Sequence, residues 1–375
     1  MTTLSSQFVP LFYQPNYEVP EEEEAQTREN LATSLRGISE TTHKSGTTLE
    51  DSGHATRSVH AKSHGLLIGE MQVLDNLPPY LAQGIFAKTA AYPVVMRIST
   101  IPGDMLDDNV STPRGFAVKV VGVEGERLMG TENAVTQDFV LVNGPAFLTS
   151  GPHQFLSKLK LLAATTDKVP ALKKVLSIVL QGTEKLIEAV GGESATIKAI
   201  GGHPETNVLG ETYFSQVPIM YGDYMAKISI APLSNSLIQL KNAPVDLTEK
   251  PNGLREAVVD FFARNTAQWE LRVQLCTDLQ TMPIEDASVV WPEDLSPYVA
   301  VAHITAKPQQ AWSDARSRAV DDGMSFSPWH GIEAHRPIGS IMRVRKMAYE
   351  MSAKFRAEHN KISMVEPTNL QNFPI

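Results

Sequence analysis

Residues 343–356 read RVRKMAYEMSAKFR. As a helix, this stretch sets Arg345 one turn before Tyr349 and Arg356 two turns after it, so all three project from one face. A tyrosine flanked by guanidiniums is well placed to act as a phenolate, because adjacent positive charge stabilises the ionised form. A buried phenolate is a hard oxygen ligand for ferric haem iron. By itself the pattern also fits an amphipathic helix with two solvated arginines and a core tyrosine. The decision rests on what the rest of the chain supplies.

Upstream, residues 57–65 read RSVHAKSHG, residues 96–104 read MRISTIPGD and residues 112–120 read TPRGFAVKV. Asp138, Phe139 and Phe147 follow, then HPETNVLGETYFS from His203, VVWPEDLSPYVAVAHI from Val289 and FSPWHGIE from Phe326. With the Tyr349 segment these blocks resemble those of the catalase superfamily. They stand in catalase order from about residue 54 to residue 356, roughly four-fifths of the chain. The resemblance implies an α+β fold: an antiparallel, eight-stranded β-barrel with surrounding helices and a haem pocket beside it. It assigns His60 as the distal acid–base group, Ser99 as the partner that fixes its tautomer, and Tyr349 as the ligand of the ferric iron of haem b. Arg57, Arg97 and Arg356 match the arginines that hold the haem propionates, and Arg345 matches the one that hydrogen-bonds the tyrosinate. Phe147 matches an aromatic residue packed against the porphyrin; a core phenylalanine is the plainer alternative. His54 and His64 flank His60 as decoys.

Two positions bear on the reaction. Allene oxide synthases of the superfamily carry threonine before the distal histidine, whereas Val59 stands there as in true catalases, which favours peroxide reduction over rearrangement. Ungapped alignment from Phe139 and Phe147 puts Val135 where catalases carry a distal asparagine, with Asn133 two residues earlier. Loss of that asparagine would weaken dismutation more than peroxidase turnover. The expectation is therefore a small, catalase-related haem peroxidase using hydrogen peroxide or an organic hydroperoxide with a further reductant. A fatty-acid hydroperoxide isomerase or dehydratase and a non-catalytic haem-binding protein are the competing readings.

Composition is compatible with all of these. The 375 residues suffice for a large core, and 42% hydrophobic with 20% charged residues is ordinary for a globular chain. A net charge of -9 argues against nucleic acid or an anionic membrane as main partner. The single cysteine, Cys276, excludes an internal disulfide and a cysteine-based metal cluster. No run reaches the length of a membrane span and the N-terminal stretch lacks the order of a secretory signal, so a cytoplasmic location is expected.

Along the chain, residues 1–50 are polar and acidic and read as an N-terminal arm or tail, of the kind that embraces a partner subunit in catalase relatives; a homo-oligomer is expected. Residues 51–375 read as the haem domain. Strand patterns lie at 65–74, 91–100, 114–123, 136–144, 224–232, 267–277 and 298–306, rich in Val, Ile and Phe and bounded by Gly, Pro or Asp. Residues 153–200 show helical spacing and are expected to form an insertion. Helical patterns return at 310–323 and 341–359. The chain ends soon after the second, so the extra helical region and flavodoxin-like domain of other catalases, and the nucleotide site some carry, are not expected.

Overall fold

A computed structural model describes residues 9–45, 54–110, 112–165, 205–371 and 373–374 of the chain. Nine strands form one antiparallel sheet: β1 (Ser63–Val73), β2 (Ala91–Thr100), β3 (Arg114–Val121), β4 (Thr136–Val142), β5 (Tyr213–Phe214), β6 (Ile219–Tyr221), β7 (Tyr224–Pro232), β8 (Ala267–Leu275) and β9 (Val299–Ala306). The order is β5-β4-β3-β2-β1-β9-β8-β7-β6, and a further pairing of β5 with β7 closes eight strands into a barrel, with β6 hairpinned onto β7. Closure leaves no bare edge among the eight. The expected barrel is thus present.

Each strand alternates, as its period of two requires. Leu67, Met71, Val94, Met96, Phe116, Val118, Leu141, Ile228, Trp269 and Leu271 point inward and form the main core. The opposite faces of β1 to β4 carry Leu66, Val95, Ala117 and Val140, which pack outward against Val320, Met324, Phe326 and Phe373. The polar members of this outer face, Arg97 and Ser99 on β2, build the site described below.

Among the described residues six α-helices surround the barrel: α1 (Glu24–Ser45), α2 (Pro152–Thr165), α3 (Asn235–Ile238), α4 (Gly253–Phe262), α5 (Asp314–Ser317) and α6 (Ser340–Asn360). A π-helical turn, Arg318–Asp322, continues α5. The segment expected as an arm or tail is in fact integral from Glu24 onward. Leu31, Leu35 and Ile38 of α1 pack with Leu156 and Leu159 of α2 and with Val344 and Ala348 of α6. Polar composition hid this helix, because only one narrow stripe of it is apolar. Of the expected insertion at 153–200, α2 is seen; residues 166–200 lie outside the described residues. No helix among the described residues is long and apolar enough to cross a membrane.

Candidate haem site on the outer barrel face

His60 stands just before β1 with φ of 57°, a left-handed conformation uncommon for a residue with a side chain. Its backbone is pinned from two sides. His60 N donates to Ile101 O at 2.6 Å, and Arg97 Nη2 donates to His60 O at 2.8 Å and to Ala61 O at 3.1 Å. The ring lies over the β2–β3 ladder, where Ser99 pairs with Gly115. His60 Nδ1 and Ser99 Oγ are 3.0 Å apart. Gly115 provides the floor: a Cβ there would come within 2.6 Å of His60 Cε1 and Nδ1. No other residue type leaves the imidazole where it is.

The opposing wall is α6. As its spacing predicts, Arg345 Nη2 donates to Tyr349 Oη, and the guanidinium also lies over the Tyr349 ring and 6.0 Å from the centre of the Phe147 ring. Phe147 meets Phe155 of α2 edge-on at 5.0 Å. Val59 packs against the cluster that includes Val344 and Ala348, so the segment bearing His60 and the helix bearing Tyr349 sit against each other. Arg345 also acts electrostatically on His60. Burial first, then Arg97, Arg345 and Arg57, hold the His60 imidazole down at about 3, so the ring is neutral at physiological pH.

Val59, His60, Phe147, Arg345 and Tyr349 each keep partial exposure, although Ser58, Ala61, Ser99, Val344 and Ala348 beside them are buried.

Beside His60 three arginines converge on the π-helical turn. Arg97 Nε donates to Asp321 Oδ1 at 2.7 Å and Arg57 Nη1 to the same oxygen at 3.1 Å. Arg57 also donates to the carbonyls of Val320, Asp321 and Met324, and Arg356 Nη1 to the Asp321 carbonyl. Burial alone would push the Asp321 carboxyl up, but Arg97 and Arg57 outweigh it and hold it down at about 2. Arg356 is pushed down to about 10, by burial and by Arg97. Its Nε is buried with no partner among the described residues. Arg57, Arg97 and Arg356 thus meet one hydrogen-bonded carboxylate, Asp321, while neighbouring Asp322, 2.9 Å from His54, acts on Arg57 and Arg356 electrostatically. Three clustered guanidiniums with one orphaned buried donor fit a ligand that carries carboxylates.

All nine expected site residues therefore fall in one region. Two neighbours do not belong there: His54 is the Asp322 partner, and His64 is fully buried between Thr100 and Asp108. The alignment at Val135 is corrected by register. Gly115 pairs with Val142 and Val121 with Thr136, so Val135 lies at the far end of β4 from His60, about 20 Å along the strand. Asn133 is exposed at that same far end. The amide at the His60 end is Asn143, whose Oδ1 accepts from Arg114 N at 2.8 Å and whose Nδ2 donates to Glu211. Counting back from Phe147 without the strand register had hidden this. Asp321 was also missed; no local spacing ties it to arginines more than two hundred residues upstream.

Residues 48–168 match the family model described as catalase. Among solved structures the fold is similar to a fungal catalase (TM-score 0.60, 18% identity, 88% of this chain and 67% of that one). It is also similar to catalase A from Saccharomyces cerevisiae (0.58, 17%, 88% and 72%) and to a bacterial catalase (0.58, 13%, 84% and 59%). No curated protein matches the chain in sequence.

Proposed function

We propose that the chain, whose residues 48–168 match the catalase family model and whose fold is similar to solved catalases, belongs to the catalase superfamily and is a haem enzyme that reduces hydrogen peroxide or an organic hydroperoxide. The observation that carries this reading is that the His60–Ser99–Gly115 arrangement and the Arg345–Tyr349 pair are brought together, Val59 packing against Val344 and Ala348 of the tyrosine's helix. Tyr349 would hold the ferric iron of haem b, and Arg57, Arg97 and Arg356 its propionates. The haem would supply the electrons that break the peroxide O–O bond.

The chain's own residues handle the proton. A neutral His60 takes the proton from the near oxygen of the peroxide at Nε2 and returns it to the leaving oxygen. For Nε2 to be free, Nδ1 carries the hydrogen and donates to Ser99 Oγ, so the serine selects the useful tautomer. Arg345 stabilises Tyr349 as a phenolate by donating to its oxygen. Phe147, Val59 and the apolar stripe of α1 keep water from the pocket and leave room for peroxides with an apolar tail. Val59 offers no hydroxyl to restrain His60, which favours reduction over rearrangement. Asn143, held by Arg114 and Glu211 at the His60 end of the strand, would take the place of the distal amide. Oxygen release and oxidation of an aromatic donor, measured on one preparation, separate dismutation from peroxidase turnover.

The purified protein should take up haem and show a high-spin ferric spectrum. Tyr349→Phe should lose that spectrum, whereas His60→Ala should keep haem and react with peroxide about 10²–10⁴-fold more slowly. An unchanged spectrum in the tyrosine variant would reject the ligand assignment, and a parent-like rate in the histidine variant would reject His60 as the proton carrier.

A further inference from the structure

We infer that Asp321 is a positioning residue that offsets part of the charge of the arginine cluster while holding Arg97 on the His60 backbone, so that the cluster stays net positive toward an anionic ligand. The inference rests on the haem reading above and adds to it a residue that touches no haem atom.

Both carboxylate oxygens of Asp321 are saturated by the protein. Oδ1 receives Arg97 Nε and Arg57 Nη1, while Oδ2 receives Ser63 Oγ at 2.7 Å and Ser317 Oγ at 2.9 Å. An acid bonded four times by its own chain has no capacity left for substrate; its work is done on the arginines. Three buried guanidiniums without a counter-charge repel one another, and Arg57 is pushed well down by burial and by Arg356 and Arg97. One carboxylate removes part of that repulsion and leaves the remainder for the ligand. The π-helical turn serves this arrangement: it aims the Asp321 side chain at Arg97 while presenting the Asp321 and Met324 carbonyls to Arg356. Arg97 then carries the effect onward, because the same guanidinium holds the backbone carbonyls of His60 and Ala61. Asp321 thereby links the anchoring of the cofactor to the left-handed backbone of the distal base.

Its effect on the charge offered to a ligand separates this role from that of an ordinary buried ion pair. In Asp321→Asn the two serines keep a partner of the same shape, but the cluster gains a charge. The variant and the parent would each be titrated, as apoprotein, with haem and with haem dimethyl ester, which has the same body and no carboxylates. The parent should prefer haem, and Asp321→Asn should widen that preference by about tenfold or more. Melting of the same samples should show the apoprotein losing more stability than the haem-loaded form, since propionates replace part of the missing charge. Equal losses with an unchanged preference would overturn the proposal and leave Asp321 a structural ion pair. If the apo variant is insoluble, recovery during expression with haem but not with the ester supports the proposal, and recovery with neither overturns it. A parent that binds neither compound would instead defeat the haem reading itself.

Discussion

The absence of one side chain decides where the His60 imidazole lies. Gly115 is needed not for an unusual backbone angle but because His60 occupies the space of its Cβ. Gly115→Ala must push the ring off Ser99, and the methyl gains nothing in return. Overpacking of this kind costs about 1–3 kcal/mol, which a large barrel tolerates, whereas a misplaced acid–base group costs about 10²-fold in rate. The variant is therefore expected to fold and bind haem while reacting with peroxide about a hundred times more slowly in stopped flow. A rate equal to the parent's would mean that the ring can settle elsewhere without loss.

At the scale of elements, a buried ionic group ties strands β3 and β4 to the chain beyond α6. Lys119 Nζ lies 2.7 Å from Asp138 and 2.6 Å from Glu366, and His330 Nδ1 lies 3.2 Å from each of the same two acids. Burial works against charge on His330, but its hydrogen bonds to Asp138 and Glu366 win and raise it to about 9. An unfolded histidine titrates near 6.5. The folded value being the higher, His330 contributes stability that is complete below pH ~6.5 and fades as the pH rises through about 9. Against His330→Gln, the parent should hold a clear advantage in melting temperature at pH 6 that has largely gone by pH ~10. A difference constant across that range would show that the proton on His330 is not what stabilises the contact. The strand register matters at this scale too: it moved Val135 out of the site and brought Asn143 to its edge.

For the whole molecule, the unexpected part is α1, which bridges the segment before His60 and helix α6. Ser39 Oγ meets Ser58 Oγ at 2.7 Å, and Glu18, Glu24 and Glu285 converge on Arg343. Leu31 is fully buried in this joint. Leu31→Ala should cost about 2–5 kcal/mol, the usual range for a buried leucine whose cavity does not collapse. Denaturant melts of the haem-free protein would show it, and a loss below about 0.5 kcal/mol would return the segment to the status of a surface appendage.

Most of the nine candidate site residues are marked in the sequence only by the resemblance of their blocks to catalases. The barrel strands and the helix bearing Tyr349 follow from local signals: alternation along 65–74, 91–100, 114–123 and 136–144, and the four- and seven-residue spacings around Tyr349. The contact of Arg345 with Tyr349 is of that kind, set within one turn of helix. Tertiary structure decided what depends on distant pairing. β5 and β6 are two and three residues long, too short for any pattern, yet β5 closes the barrel through β4 and β7. The order of α1 comes from a surface that α2 and α6 provide, since few of its own residues are apolar. Asp321 acquires its meaning only when Arg57, Arg97 and Arg356 are brought to it by three separate elements. Local periodicity records how each segment meets the core, but charge balance in a buried cluster is a property of the assembled fold.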